Sequence, residues 1–367
     1  MDIDINKIAK NFNIKGILKS FQTYGNGHIN NTYVLEYEQE NNINRYILQK
    51  INKTVFKNPE ILMDNIIIVT EHIKKQLQKN GETDIARKTL NLIKTGTGKN
   101  FFIDEYEDYW RVYDYIRDGE TYDNPLDLSV LFEASVSFGK FLKLLKNIPQ
   151  DSIKTIIPDF HSVKLRFSQF KTACKSDTML RVKAVSKEID FLINMQERFK
   201  NLENIIDSNT LPLRITHNDT KINNVIIDKK TKKGLAVIDL DTVMSGFSIF
   251  DFGDIVRTSV SVCNEDEKNL DKVFADSTRF KAILKGYLSE TMDFLQEVEL
   301  LNLVNGSIIM CSMIGMRFLT DYLNGDIYFK THYTNHNLDR CRVQFKLANS
   351  IIKIEEQLNK IVMEEIR

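Results

Sequence analysis

The densest grouping of side chains able to do chemistry lies in residues 215–254, ITHNDTKINNVIIDKKTKKGLAVIDLDTVMSGFSIFDFGD. Asp219 and Asn224 precede an apolar run, 225–227; Asp239 and Asp241 follow a second run, 235–238. Carboxylate and amide oxygens are hard donors, suited to Mg²⁺ and to work beside phosphate oxygens. That chemistry needs them at one point in space, so the intervening chain has to fold back on itself. Two apolar runs joined by the lysine-rich turn 229–234 predict a β-hairpin buried on at least one face. A hairpin pairs its outer ends, so Asn224 and Asp239 are expected side by side.

The spacing narrows the chemistry. His217, Asp219 and Asn224 stand in the pattern H-x-D-x-x-x-x-N, followed on the next strand by Asp239. This is the arrangement of a phosphoryl-transfer catalytic loop. In it Asp219 orients the attacking hydroxyl and accepts its proton, while Asn224 and Asp239 hold the Mg²⁺ that bridges the ATP phosphates. Asp241 is a further metal candidate. The plain alternative is a polar loop beside a buried hairpin. Asp251-Phe252-Gly253 spells D-F-G, but it follows the hairpin, and Asp239 already fills the metal position. Asp251 and Asp254 are therefore read as loop supports through hydrogen bonds to backbone.

The wording His-Asn-Asp-Thr-Lys-Ile-Asn-Asn (217–224), with Ile-Asp-Leu-Asp (238–241) and Asp-Phe-Gly-Asp (251–254), resembles the aminoglycoside phosphotransferase and choline kinase superfamily. Within it the sequence is most similar to the N-acetylhexosamine 1-kinases. The resemblance implies an α+β, protein-kinase-like fold of the aminoglycoside phosphotransferase type, with a small β-rich lobe and a large helical lobe. It also implies ATP and Mg²⁺ as cofactors and a small-molecule sugar, phosphorylated at its anomeric hydroxyl, as substrate. A kinase of the same fold for another small alcohol (an aminoglycoside, choline or homoserine) and a nucleotide-binding pseudokinase scaffold are the alternatives.

Composition bounds the reading. Lys plus Arg and Asp plus Glu both equal 50, which argues against bulk nucleic-acid binding. The four cysteines are scattered without metal-ligand spacing, as expected of reduced thiols in a cytoplasmic protein. No basic start and apolar run marks a signal peptide, and the apolar stretch 308–316 is too short for a membrane span. A monomer is the default expectation.

Earlier in the chain, Gly25, Asn26, Gly27 and His28 form a small-residue turn ahead of a strand at 32–37. An ordinary hairpin turn explains Gly25 and Gly27; backbone N–H groups closing over phosphate explain them equally. The resemblance favours the latter and makes His28 a sugar contact. A second strand, 45–50, ends at Lys50, the candidate cation for the ATP phosphates. Strand alternation sends Gln49 and Lys50 to opposite faces, and the sequence leaves open which one faces the phosphates. A helix over 64–79 carries Glu71, the candidate partner of that lysine. The strand 110–116 reads as buried, and resemblance places adenine against the backbone of Tyr115 and Ile116. Residues 1–116 thus form a nucleotide-binding lobe and 117–367 a helical lobe with the catalytic loop and sugar site. Helices are expected over 180–202, 308–323 and 339–366. Arg317 lies on the apolar 308–323 helix and needs a partner. Either Asp321 pairs with it one turn on, or, as the resemblance implies, Arg317 and Tyr328 bind sugar.

Overall fold

Branched and aromatic residues in the N-terminal region pair into an antiparallel sheet. Its strands are β1 (Ile17–Thr23), β2 (Asn31–Gln39), β3 (Asn42–Lys50), β4 (Leu92–Ile93), β5 (Phe102–Ile103) and β6 (Tyr109–Asp114). They run in the order β1-β2-β3-β6-β4, with β5 on β6. The computed structural model describes residues 4–25 and 29–367, so the expectations placed on Asn26, Gly27 and His28 lie outside the described residues.

The register of β3 on β6 pairs Gln49 with Arg111 and Lys50 with Trp110, which decides the faces. Leu48, Trp110 and Val112 point to one side and pack with Ile5, Ile8 and Phe12 around the short helix Ile5–Ala9. Gln49, Arg111 and Tyr113 point to the other side, toward the main core and the catalytic segment. The helix Pro59–Lys79 lies on this second side. It starts before the expected residue 64, because the Asn58 side chain caps the Ile61 N–H and Pro59 suits the first turn. Its fully buried Asn65 donates to the Lys154 carbonyl at 2.7 Å and the Val243 carbonyl at 3.2 Å, and accepts from the Lys154 N–H at 3.0 Å. This ties the helix to the loop that follows Asp241.

The C-terminal region is helical. Leu303–Leu323 is long and apolar enough to cross a membrane, but 78% of its apolar window is buried inside the protein. It packs against the helices Ser248–Ser259 and His336–Lys353. The contact with Ser248–Ser259 is backbone to backbone: a Cβ on Gly253 would meet the Gly306 carbonyl at 2.7 Å, and one on Gly306 would meet the Ile249 carbonyl at 2.5 Å. Gly306→Ala is expected to destabilise the protein by about 1–3 kcal/mol through overpacking, read as a drop in midpoint in a urea titration. Two expected long helices are each broken. The 180–202 pattern folds as Ser186–Asn194 and Gln196–Asp207, and 339–366 as His336–Lys353 and Glu355–Glu365.

Candidate active site

The apolar runs fold as expected into β9 (Val225–Asp228) and β10 (Gly234–Val237), antiparallel, with β7 (Gly119–Glu120) on the outer edge of β9. Beyond Val237↔Val225 the Ile238 N–H donates to the Asn224 carbonyl at 2.9 Å, so the outer ends do meet. A second pair, β8 (Arg214–Thr216) with β11 (Met244–Gly246), clamps the two sides of the catalytic segment. Between these pairs the chain turns sharply, with positive φ at Asn218 (63°) and Asp239 (59°). Asn and Asp tolerate that left-handed region better than most residues.

Hydrogen bonds hold the turn. His217 Nε2 faces the Ile238 carbonyl at 2.9 Å and therefore carries the proton; its Nδ1 is then free to accept from the Asp219 N–H at 3.3 Å. Asp251 supports the loop with both carboxylate oxygens, accepting from the His217 N–H at 2.9 Å and the Asn218 N–H at 2.8 Å. It does so from the first turn of the helix Ser248–Ser259. Burial pushes its carboxyl up to about 6, against the pull of those two N–H groups. Asp254 is not a backbone support; its Oδ1 accepts from Arg257 Nε at 2.7 Å.

Asp219 is partly exposed. Its Oδ2 lies 3.1 Å from Lys221 Nζ and 3.3 Å from Asn224 Nδ2, which also donates to the Asp219 carbonyl at 2.8 Å. Burial raises its proton affinity, but Lys221, through its charge and its contact with Oδ2, more than offsets that, and the carboxyl stays below its ordinary range. It is thus a carboxylate at neutral pH. The Asn224 amide N–H groups are turned to Asp219, leaving Asn224 Oδ1 as the atom able to face a cation. Asp239 is pushed up to about 7 by burial, then by Asp241 and Asp219. Such uncompensated negative charge beside an amide oxygen fits a hard divalent cation. Among the described residues no three of His, Cys, Asp and Glu form a self-contained metal site, so a cation here would need ligand oxygens as well.

Asp241 sits differently from the expectation that it faces the metal. Its Oδ1 is 2.6 Å from Arg111 Nη1, and its Oδ2 accepts from Asn30 Nδ2 at 2.6 Å. Lys50 is the clearest correction. It lies on the Trp110 face, ion-paired with Asp108, while Gln49 occupies the cleft face. Glu71 is exposed and lies near Lys74, while Lys50, its expected partner, is paired with Asp108. Gly25 has φ +75°, a glycine conformation, and the neighbouring Tyr24 hydroxyl lies 3.4 Å from that of Tyr115. Ile116 is buried in the main core.

Arg317 does not pair with Asp321. The Asp321 oxygens accept from the N–H groups of Ile327 (3.1 Å), Tyr328 (2.8 Å) and Phe329 (3.0 Å) and from Asn337 Nδ2 (2.9 Å). Local capping of that loop has taken the carboxylate. Arg317 instead reaches the Tyr328 hydroxyl at 3.4 Å and lies over the rings of Phe160, Tyr328 and Phe329. Residues 327–330 face Ile29, Asn52, Thr54 and Val55 across a cleft of about 400 Å³. His161, which the sequence did not single out, sits beside this cluster. Its Nε2 faces the Asn218 carbonyl at 3.0 Å, and its buried Nδ1 has no partner among the described residues. Burial holds the ring neutral, its proton affinity lowered to about 3.

With this geometry the comparison with known proteins is direct. The sequence matches the phosphotransferase enzyme family over residues 20–283. The chain belongs to that family. The fold of this phosphotransferase is protein-kinase-like, an α+β arrangement with a β-sheet N-terminal region and a helical C-terminal region. It is similar to an aminoglycoside phosphotransferase from Alicyclobacillus acidocaldarius (9% identity, TM-score 0.63, covering 100% of this chain and 97% of that one). A choline kinase from Cryptosporidium parvum is similar at 16% identity and TM-score 0.54, covering 95% and 93%. An ethanolamine kinase from Plasmodium vivax is similar at 13% identity and TM-score 0.53, covering 89% and 82%. At such identities the likeness is one of fold.

Proposed function

We propose that this phosphotransferase is an ATP- and Mg²⁺-dependent kinase that phosphorylates the anomeric hydroxyl of an N-acetylhexosamine, giving the sugar 1-phosphate. One observation carries the choice of acceptor. Arg317, close enough to Asp219 for their charges to interact, is held by a hydroxyl and three aromatic rings, and among the described residues no carboxylate is bonded to it. A guanidinium so placed repels a cationic acceptor and offers N–H donors to hydroxyl and acetamide oxygens. The Nδ1 of His161, without a partner among the described residues, adds an acceptor for a sugar hydroxyl.

The residues divide the work as follows. Asp219 aligns the sugar hydroxyl and takes its proton as the new O–P bond forms and the bond from the γ-phosphorus to the bridging oxygen breaks. Asn224 Oδ1 and Asp239 would hold Mg²⁺, which when bound neutralises charge on the phosphate oxygens. Lys221, held between Asp219 and the negative field of Asp239, remains protonated and is placed to face phosphoryl oxygens. The transition state is loose, so positioning and charge supply most of the rate.

The test is an acceptor panel with Mg·ATP, read as ADP release: N-acetylglucosamine, N-acetylgalactosamine, glucosamine, choline, homoserine and an aminoglycoside. The N-acetylhexosamines should exceed every cationic acceptor by at least about tenfold in kcat/KM, on the scale of one lost polar contact. Preference for choline or an aminoglycoside would remove the sugar assignment.

A further inference from the structure

The negative charge of a nucleoside triphosphate calls for a cation on the cleft face of the N-terminal sheet, and the strand residue expected to supply it does not. Lys50 is turned to the opposite face and engaged by Asp108. At the cleft-facing position of β3 stands Gln49, which has no charge. Arg45 shares that face, but it is more than half exposed and tied to Glu36. Arg111, directly across from Gln49 on β6, is fully buried on the cleft side. Its Nε and Nη2 donate to Gln49 Oε1 at 3.0 and 2.8 Å, and Gln49 Nε2 is fixed in turn by Thr32 Oγ1 at 3.0 Å. Gln49 thus acts as a bracket that sets the plane of the guanidinium.

The remaining edge of Arg111 points at the catalytic segment. Nη1 lies 2.6 Å from Asp241 Oδ1, two residues beyond Asp239, with both side chains nearly inaccessible. Among the described residues, Nη1 and Oδ1 are buried polar atoms with no partner beyond this ion-pair contact. A buried guanidinium with one edge held by an amide and the other turned to Asp241, two residues from the candidate metal ligand Asp239, has the chemistry that recognises phosphate oxygens.

We infer that Arg111 is the nucleotide-phosphate cation of this phosphotransferase: the charge has moved from β3 to β6, with Gln49 orienting it and Asp241 holding it before nucleotide arrives. This rests on the kinase reading above.

The experiment measures Mg·ADP affinity by isothermal titration for the wild type, Lys50→Met, Arg111→Met, and Arg111→Met combined with Gln49→Lys, each with its melting curve. Arg111→Met should weaken binding about 10- to 100-fold, the worth of a charged hydrogen bond. Lys50→Met should stay within about threefold of wild type, a change of well under one kcal/mol. Gln49→Lys in the Arg111→Met background returns a cation to the same face and should recover at least about tenfold. Unchanged affinity in Arg111→Met, a large loss in Lys50→Met, or no recovery in the double variant would each overturn the inference. Should the wild type bind no Mg·ADP at all, the kinase reading itself fails, a result separate from these.

Discussion

Asp219→Asn should fold as the wild type does and lose turnover by about 10³-fold, the scale of removing a general base from a positioned proton transfer. The amide matches the carboxylate in shape. The structural bonds of this loop run mainly through backbone atoms, through Asp251, and through the Asn224 contact to the Asp219 carbonyl. What disappears is the negative charge that Lys221 keeps available at neutral pH. Nucleotide affinity should change little, since the acceptor hydroxyl, not ATP, is the group Asp219 serves. Steady-state kcat together with a melting curve decides it. Turnover near wild type in a folded variant would strip Asp219 of its role.

The second large effect is at Asp239, and there activity and stability move in opposite directions. Its carboxyl is raised to about 7 in the folded chain, so the proton is bound more tightly there than in the unfolded chain. The stability this contributes is fully present below the unfolded value and is lost as pH rises through about 7. Asp239→Asn removes that loss. Without metal, the variant should melt at or above the wild-type temperature at pH 8, and its advantage should shrink toward pH 5. Adding Mg·ADP should raise the wild-type midpoint and leave the variant nearly unmoved, because ligand stabilisation follows affinity for the folded state. Turnover should fall by about 10²-fold or more, since several kcal/mol of charge stabilisation would go with the ion. Equal Mg·ADP stabilisation in both proteins would place the ion elsewhere.

The catalytic hairpin was legible in the sequence because its information is local. Two short apolar runs, a turn and four oxygen-bearing residues at set spacing leave few ways to fold. The N-terminal sheet was legible as strands but not as faces. Alternation separates Gln49 from Lys50, yet which side is inward depends on what packs there, and Trp110 with the Ile5–Ala9 helix decided it. Arg111 read as one residue of a buried strand, since nothing nearby in sequence announces Asp241 as its partner. The Arg317–Asp321 spacing suggested an ion pair that the structure lacks. Three backbone N–H groups from residues 327–329 reach Asp321 first, a competition that helical spacing does not encode. His161 carried no signal, as a lone histidine after a proline-containing loop. Asp251 was read as a support of the catalytic loop, and the helix it belongs to, with Asp251 in its first turn, was not read from the sequence.

The most direct measurement incubates the protein with γ-labelled Mg·ATP and N-acetylglucosamine or N-acetylgalactosamine, then tests the labelled product for acid lability. Transfer to the anomeric oxygen in line with Asp219 gives a sugar phosphate that releases its label in mild acid. An acid-stable phosphoester, or label that remains in ATP with both sugars present, would contradict it.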